Sequence, residues 1–153
     1  MTSGNTVRLD FHSSLEMLDF VQMVSDHIGR MAGLDGDALH WVSVAVRESV
    51  INAIKHGNCS DARKRVYVEF TALEGDAQPG IAIRVRDEGC GFDPSTLVDP
   101  REPENLLKAS GRGIFLMRAF MDEMTFQRGA EGGTEVRMVK RRDSAECRMA
   151  NDT

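Results

Sequence analysis

Within RESVINAIKHGN, residues 47–58, Glu48, Asn52 and His56 recur at steps of four. Residues four apart stack on one face of a helix. A carboxylate, an amide and an imidazole therefore line up along a segment, Trp41 to Ile54, that is otherwise almost wholly apolar. Trp41 and Ala45 extend that face, while Val42, Val46, Val50 and Ala53 take the opposite side. One reading makes Glu48 and Asn52 solvent-facing and His56 a partner of the helix dipole. The other has the polar line facing a cavity that holds a metal and an anion.

Three further segments have the residue types to build such a cavity. Asp87-Glu88-Gly89-Cys90-Gly91 ends a strand. Two glycines spaced by one residue let the backbone approach a flat ligand without a Cβ in the way. An aspartate there can accept a hydrogen bond from an exocyclic amine such as that of adenine. Gly111-Arg112-Gly113 opens a helix, where free N–H groups and the dipole favour phosphate. Gly132-Gly133-Thr134 is a hairpin turn whose threonine can share the adenine edge with Asp87. Each segment taken singly is equally an ordinary turn.

The elements that must position these residues follow from periodicity. TVRLDF alternates and predicts a strand, and Ser13 with Glu16 form an S-x-x-E capping box for a helix. Leu15, Leu18, Val21, Val24 and Ile28 are that helix's core candidates. GLDGD ends it and offers Asp35 or Asp37 as the N-cap of a second helix. The second helix runs to about His56, closed by Gly57-Asn58, a pair tolerant of left-handed backbone. RVYVEFTAL and IAIRVRD form a hairpin over 66–87, with Val66, Val68 and Phe70 on one face. Residues 92–110, with Pro94, Pro100 and Pro103, read as a long loop or lid. A helix follows the glycine-rich turn at 111, with Ile114, Leu116, Met117, Phe120 and Met121 as its apolar set. TFQR and TEVRMVKR close the chain as a second hairpin. The order β-α-α-β-β-lid-α-β-β predicts an α+β domain with helices on one face of a mixed sheet. Residues 1–5 and 143–153 are expected to be disordered ends of a single domain spanning 6–142.

The chain has 153 residues, enough for one domain with a real core. A net charge of -5 and the absence of a long basic run speak against direct nucleic-acid binding. Cys59, Cys90 and Cys147 stand apart, without CxxC or Cys/His clusters, which predicts neither a zinc site nor a disulfide framework. No apolar run approaches a membrane span and no signal peptide opens the chain, so a cytoplasmic protein is expected.

In this order, E-x-x-x-N-x-x-x-H-G, DxGxG, a lid, SGxG at a helix start and GGT resemble the GHKL ATP-binding fold, over roughly Thr6 to Arg142. That superfamily includes gyrase-type ATPases, Hsp90, MutL and histidine kinases. GRGIFLMRAFMDEM, at 111–124, narrows the resemblance to the anti-sigma-factor serine kinases, the RsbW/SpoIIAB-like branch. Read as a stand-alone domain, without a phosphoacceptor helix pair before it or a transducer domain after it, the chain is expected to act on another protein.

The resemblance implies a two-layer fold with a flexible ATP lid, ATP/ADP as ligands and Mg²⁺ as the metal. It implies that Asn52 coordinates Mg²⁺ and that Glu48, one turn earlier, takes the proton from an attacking hydroxyl. His56 and Gly57 would lie near the phosphates. Asp87 would fix adenine, with Gly89 and Gly91 giving the base room and Thr134 beside it. Gly111, Arg112 and Gly113 would close on the phosphates next to Ile114, with Lys108 and Arg112 as the basic candidates of the lid. The implied partners are a STAS-type anti-sigma-factor antagonist, phosphorylated on serine, and a sigma factor held by the kinase; a homodimer is left open. Two other readings stay open. One is a nucleotide-gated binding module with little kinase activity; the other is a switch-type kinase of a STAS scaffold that binds no sigma factor.

Overall fold

The computed structural model describes residues 3–74, 79–89, 113–128 and 132–142. The lid at 92–110, the tail at 143–153, and Gly91, Lys108, Gly111 and Arg112 lie outside these. Strand β1 covers Ser3–His12, starting before Thr6, so residues 3–5 belong to the sheet rather than to a loose end. A 3-10 turn, Leu15–Met17, leads into α1, Leu18–Met31, and α2 covers Gly36–Asn52. Strands β2, Arg65–Leu73, and β3, Gly80–Arg86, follow. Helix α3, Gly113–Phe120, and strands β4, Glu123–Arg128, and β5, Thr134–Arg141, complete the order.

Among the described residues the sheet has five strands in the order β1-β2-β3-β5-β4, and every neighbouring pair is antiparallel. The expected mixed sheet is corrected here, and the connections give the reason. Two helices separate β1 from β2, and β2 returns antiparallel beside β1. β4 does run parallel to β3, but the hairpin's second strand, β5, inserts between them.

Both helices of the α1–α2 pair pack on one face of this sheet. Val21, Val42, Val46 and Val50 from the helices meet Val66, Val68, Phe70, Ile81, Ile83, Val85 and Met138 from the strands, all buried. β2 alternates buried and half-buried residues along its whole length, as its sequence alternation predicts. Of the α1 candidates, Leu18, Val21 and Ile28 are buried, but Leu15 faces solvent. The outer sheet face is polar: Arg8 pairs with Glu69, Arg84 with Glu135, and Arg86 lies over the Tyr67 ring at 4.2 Å. Arginines here meet carboxylates strand by strand, which suits a solvated face.

The caps differ in detail from the sequence pattern. Ser14, not Ser13, caps the first turn by accepting from Glu16 N at 3.3 Å. Ser13 Oγ donates instead to the Lys64 carbonyl at 2.8 Å. At α2 the cap is Asp35, whose side chain accepts from Ala38 N at 2.7 Å. Cys59 is disulfide-bonded, against the expectation of separate thiols, and the other two cysteines lie outside the described residues. Among the described residues, no helix is long and apolar enough to cross a membrane.

Candidate functional site

Helix α2 does not end as an α-helix. After Asn52 it widens into a π-turn over Ala53–Gly57, closed by Asn58 N donating to the Ala53 carbonyl at 2.8 Å. The helix thus stops at Gly57-Asn58 as expected, while the left-handed residues are Cys59 and Ser60, with φ of 52 and 56°. Wide turns of this kind are rare and concentrate at functional sites.

Gly57 has another reason to be glycine. A Cβ there would stand 2.0 Å from Asp87 Oδ2. On the other side, a Cβ on Gly133, where φ is +78°, would stand 2.2 Å from the Asp87 carbonyl oxygen and 2.9 Å from Oδ1. Asp87 thus sits in a cradle that only α-carbons without a Cβ permit. Its Oδ1 accepts from Gly89 N at 2.9 Å and from Thr134 N at 3.0 Å. Its own N–H donates to the Thr134 carbonyl at 3.1 Å, extending the β3–β5 ladder past its last paired residues. Oδ2 has no hydrogen-bond partner among the described residues.

Asp87 is 4% exposed. Burial pushes its carboxyl above the ordinary value of 3.8, and the amides of Thr134 and Gly89 oppose the shift without cancelling it. A buried carboxylate with one oxygen pinned and the other open is a directional acceptor for a single donor, such as an exocyclic amine.

Further back along the same helix, Asn52 Oδ1 is closed off from solvent and has no hydrogen-bond partner among the described residues. An amide oxygen rarely stays orphaned in a protein interior, and a hard cation is one natural complement to it. No group of three or more His, Cys, Asp or Glu side chains converges on a metal among the described residues. Mg²⁺ at a polyphosphate needs no such cluster, because water and phosphate oxygens supply most of its ligands. Glu48, about 6 Å further along the axis at the α-helical rise, is half-buried and makes no hydrogen bond or ion pair among the described residues.

The structure therefore brings together Gly57, Asp87, Gly89, Gly133 and Thr134 at the end of α2, with Asn52 and Glu48 upstream on the same helix. Gly57, expected near phosphates, packs against the carboxylate expected to hold the base. His56 is exposed. Gly113 begins α3, with Ile114 in its first turn. Helix α3 docks on α2 through Trp41, whose ring stacks on Phe120 with centroids 3.7 Å apart and planes 4° from parallel. Ser49 Oγ, on α2, donates to Met117 and Met138 sulfurs at 3.6 and 3.5 Å.

Two contributors carry no sequence sign of a role at this site. Lys64 Nζ donates to the Gly89 carbonyl, and Asn58 Oδ1 accepts from Glu88 N at 2.8 Å. A lysine before a strand and an asparagine after a glycine carry no signal of their own. Gly133 was legible only as a turn glycine.

Residues 11–140 match the family described as the histidine kinase-like ATPase domain. The chain belongs to that family. Its α+β architecture agrees with membership, and among its relatives are anti-sigma factors and a serine-protein kinase. The anti-sigma F factor of Clostridium perfringens is 32% identical over 142 residues, covering 90% of this chain and 96% of that protein. The anti-sigma F factor of Bacillus subtilis is 33% identical over 108 residues, 68% of this chain and 70% of that protein. The serine-protein kinase RsbW of Staphylococcus aureus is 28% identical over 135 residues, 84% of this chain and 81% of that protein. Within the histidine kinase-like ATPase family, this chain is of the anti-sigma-factor kinase type, the RsbW/SpoIIAB-like branch.

Proposed function

We propose that the chain is an ATP-dependent serine-protein kinase that acts as an anti-sigma factor. It would phosphorylate a STAS-type antagonist on serine, and it would hold a sigma factor when that antagonist is phosphorylated. The observation that carries the reading is one helix bearing an orphaned amide oxygen at Asn52 and ending, at Gly57, against the cradled carboxylate of Asp87. Relatives named anti-sigma F factor and serine-protein kinase support the same reading.

In this account Asp87 Oδ2 accepts from the adenine amine, and Gly57 and Gly133 leave room for the carboxylate. Asn52 would hold Mg²⁺, which when bound neutralises phosphate charge. Glu48 accepts the proton of the partner's serine hydroxyl as its oxygen forms a bond to the γ-phosphorus, while the bond from that phosphorus to the β-γ bridging oxygen breaks and ADP leaves. The new phosphate adds nearly two negative charges at the interface, which favours release of the antagonist. His56, Gly89, Gly91, Lys108, Gly111, Arg112, Gly113, Ile114 and Thr134 complete the proposed nucleotide site, with residues 92–110 as its lid.

The test is affinity capture with the tagged protein, followed by phosphoserine mapping after ATP is added to the captured partners. The expected result is a sigma factor together with a STAS-type protein that gains one phosphoserine. A phosphorylated STAS protein without a sigma factor would point to a switch-type kinase. Bound partners that gain no phosphate would point to a nucleotide-gated binding module.

A further inference from the structure

Gly57 and Asp87 meet in the cradle, and each is followed in the chain by one member of a hydrogen-bonded pair. Asn58 is 0% exposed, and its Oδ1 accepts the N–H of Glu88 at 2.8 Å. Its Nδ2 donates to Ser13 Oγ at 2.8 Å and to the Arg65 carbonyl at 2.9 Å. Its N–H closes the π-turn on Ala53, and its carbonyl accepts from Asp61 N at 3.0 Å. One buried amide thus joins the corner after β1, the end of α2, the start of β2 and the segment after β3.

A buried asparagine is tolerated when every polar atom is paired, and such networks then hold their members in one arrangement. The Oδ1 bond is the one that matters for the cradle. It fixes the peptide joining Asp87 to Glu88, and Asn58 itself sits one residue from Gly57. Without that bond the Glu88 N–H would be left unpaired, and the peptide would be free to rotate toward water. Lys64, bonded to the Gly89 carbonyl, braces the same segment from the far side.

We infer that Asn58 is a positioning residue that aims the Asp87 carboxylate relative to α2, and so sets the pocket's preference for a base with an exocyclic amine. This rests on the proposed reading of Asp87 as the base-recognising group. The test compares binding of ADP with binding of purine riboside 5′-diphosphate, which lacks the amine, by calorimetry on the full chain. Wild type is expected to prefer ADP by about tenfold or more, the scale of one hydrogen bond to a charged group. Asn58→Ala should lose most of that preference. Asn58→Asp keeps an acceptor for Glu88 N and should retain it, with a lower melting temperature. Ser13→Ala removes a partner of Nδ2 and the bond to the Lys64 carbonyl but leaves the Oδ1–Glu88 bond intact, so it should lower stability and leave the preference unchanged.

A purely structural role predicts that all three variants lose stability and keep the preference; a folded Asn58→Ala with wild-type preference overturns the inference. If Asn58→Ala does not fold, Asn58→Asp decides: a folded protein without the preference overturns the inference equally. A wild type that binds both diphosphates alike overturns the Asp87 reading itself, and the positioning role with it. A wild-type preference abolished by Asp87→Asn but untouched by Asn58→Ala overturns the positioning role alone.

Discussion

Asp87 Oδ2 occupies the space that a side chain on residue 57 would need, since a Cβ at Gly57 would stand 2.0 Å from it and 2.2 Å from Cγ. Helix end and strand end therefore touch through a bare α-carbon, and the carboxylate is aimed by that contact. Gly57→Ala forces one of the two to move. Overpacking of this sort costs about 1–3 kcal/mol. Thermal melts should reveal it in the apo protein, and ADP affinity should fall as well because the displaced group is the proposed acceptor. An alanine variant with wild-type melting and wild-type ADP affinity would show that the cradle has slack.

Asp87→Asn changes the pocket without changing its shape. Oδ1 of the new side chain can still accept from Gly89 N and Thr134 N, but an NH₂ group now stands where Oδ2 faced the ligand. ATP and ADP affinity should drop by about 1.5–3 kcal/mol, the range for hydrogen bonds to charged groups. Calorimetry reads this directly, and unchanged affinity would remove Asp87 from base recognition.

The same carboxyl predicts a pH dependence. Burial raises its folded value above the ordinary 3.8. Ionised Asp87 therefore costs the folded apo protein stability at neutral pH, and that cost is relieved as pH falls through the raised folded value toward the unfolded one. Nucleotide binding runs the opposite way, because protonation removes the acceptor. ADP affinity should begin to fall on acidification at a higher pH than an ordinary aspartate would give. Asp87→Asn should lack this acid limb, so parallel titrations of both proteins check it.

Asn52→Ala removes an oxygen that is buried and unpaired in the apo protein. Its loss should leave the melting temperature nearly unchanged, since no hydrogen bond is broken. The gain in ATP affinity on adding Mg²⁺ should disappear. Equal Mg²⁺-dependent stabilisation of variant and wild type would place the metal elsewhere.

The sequence was legible where periodicity decides. Alternation in RVYVEFTAL predicts β2, and apolar spacing predicts α1, α2 and α3, so the order of elements follows. Antiparallel pairing throughout was not legible, because strand order depends on β5 inserting between β3 and β4. Ser13 and Ser14 are adjacent and chemically alike, and the Lys64 carbonyl and Asn58 Nδ2, brought near by folding, draw Ser13 away from the cap. At the site, Glu48, Asn52 and Asp87 were readable from residue type and spacing. Asn58 was not: its importance comes from partners at 13, 65 and 88, which no local pattern connects. The contact between the Gly57 α-carbon and Asp87 has no local sign either, because a sequence does not say which atom approaches a missing side chain.

The central claim is that this site transfers a phosphoryl group with Glu48 as base, and γ-³²P transfer from ATP to the serine of the captured antagonist tests it most directly. Wild type, Glu48→Ala and Glu48→Gln are compared at saturating nucleotide, beside ADP calorimetry on the same preparations. Both variants should bind ADP nearly as wild type does, since the carboxylate need not touch the nucleotide. Transfer should fall by roughly 10²–10⁴, the usual contribution of a positioned base. Transfer by either variant at the wild-type rate would contradict the account.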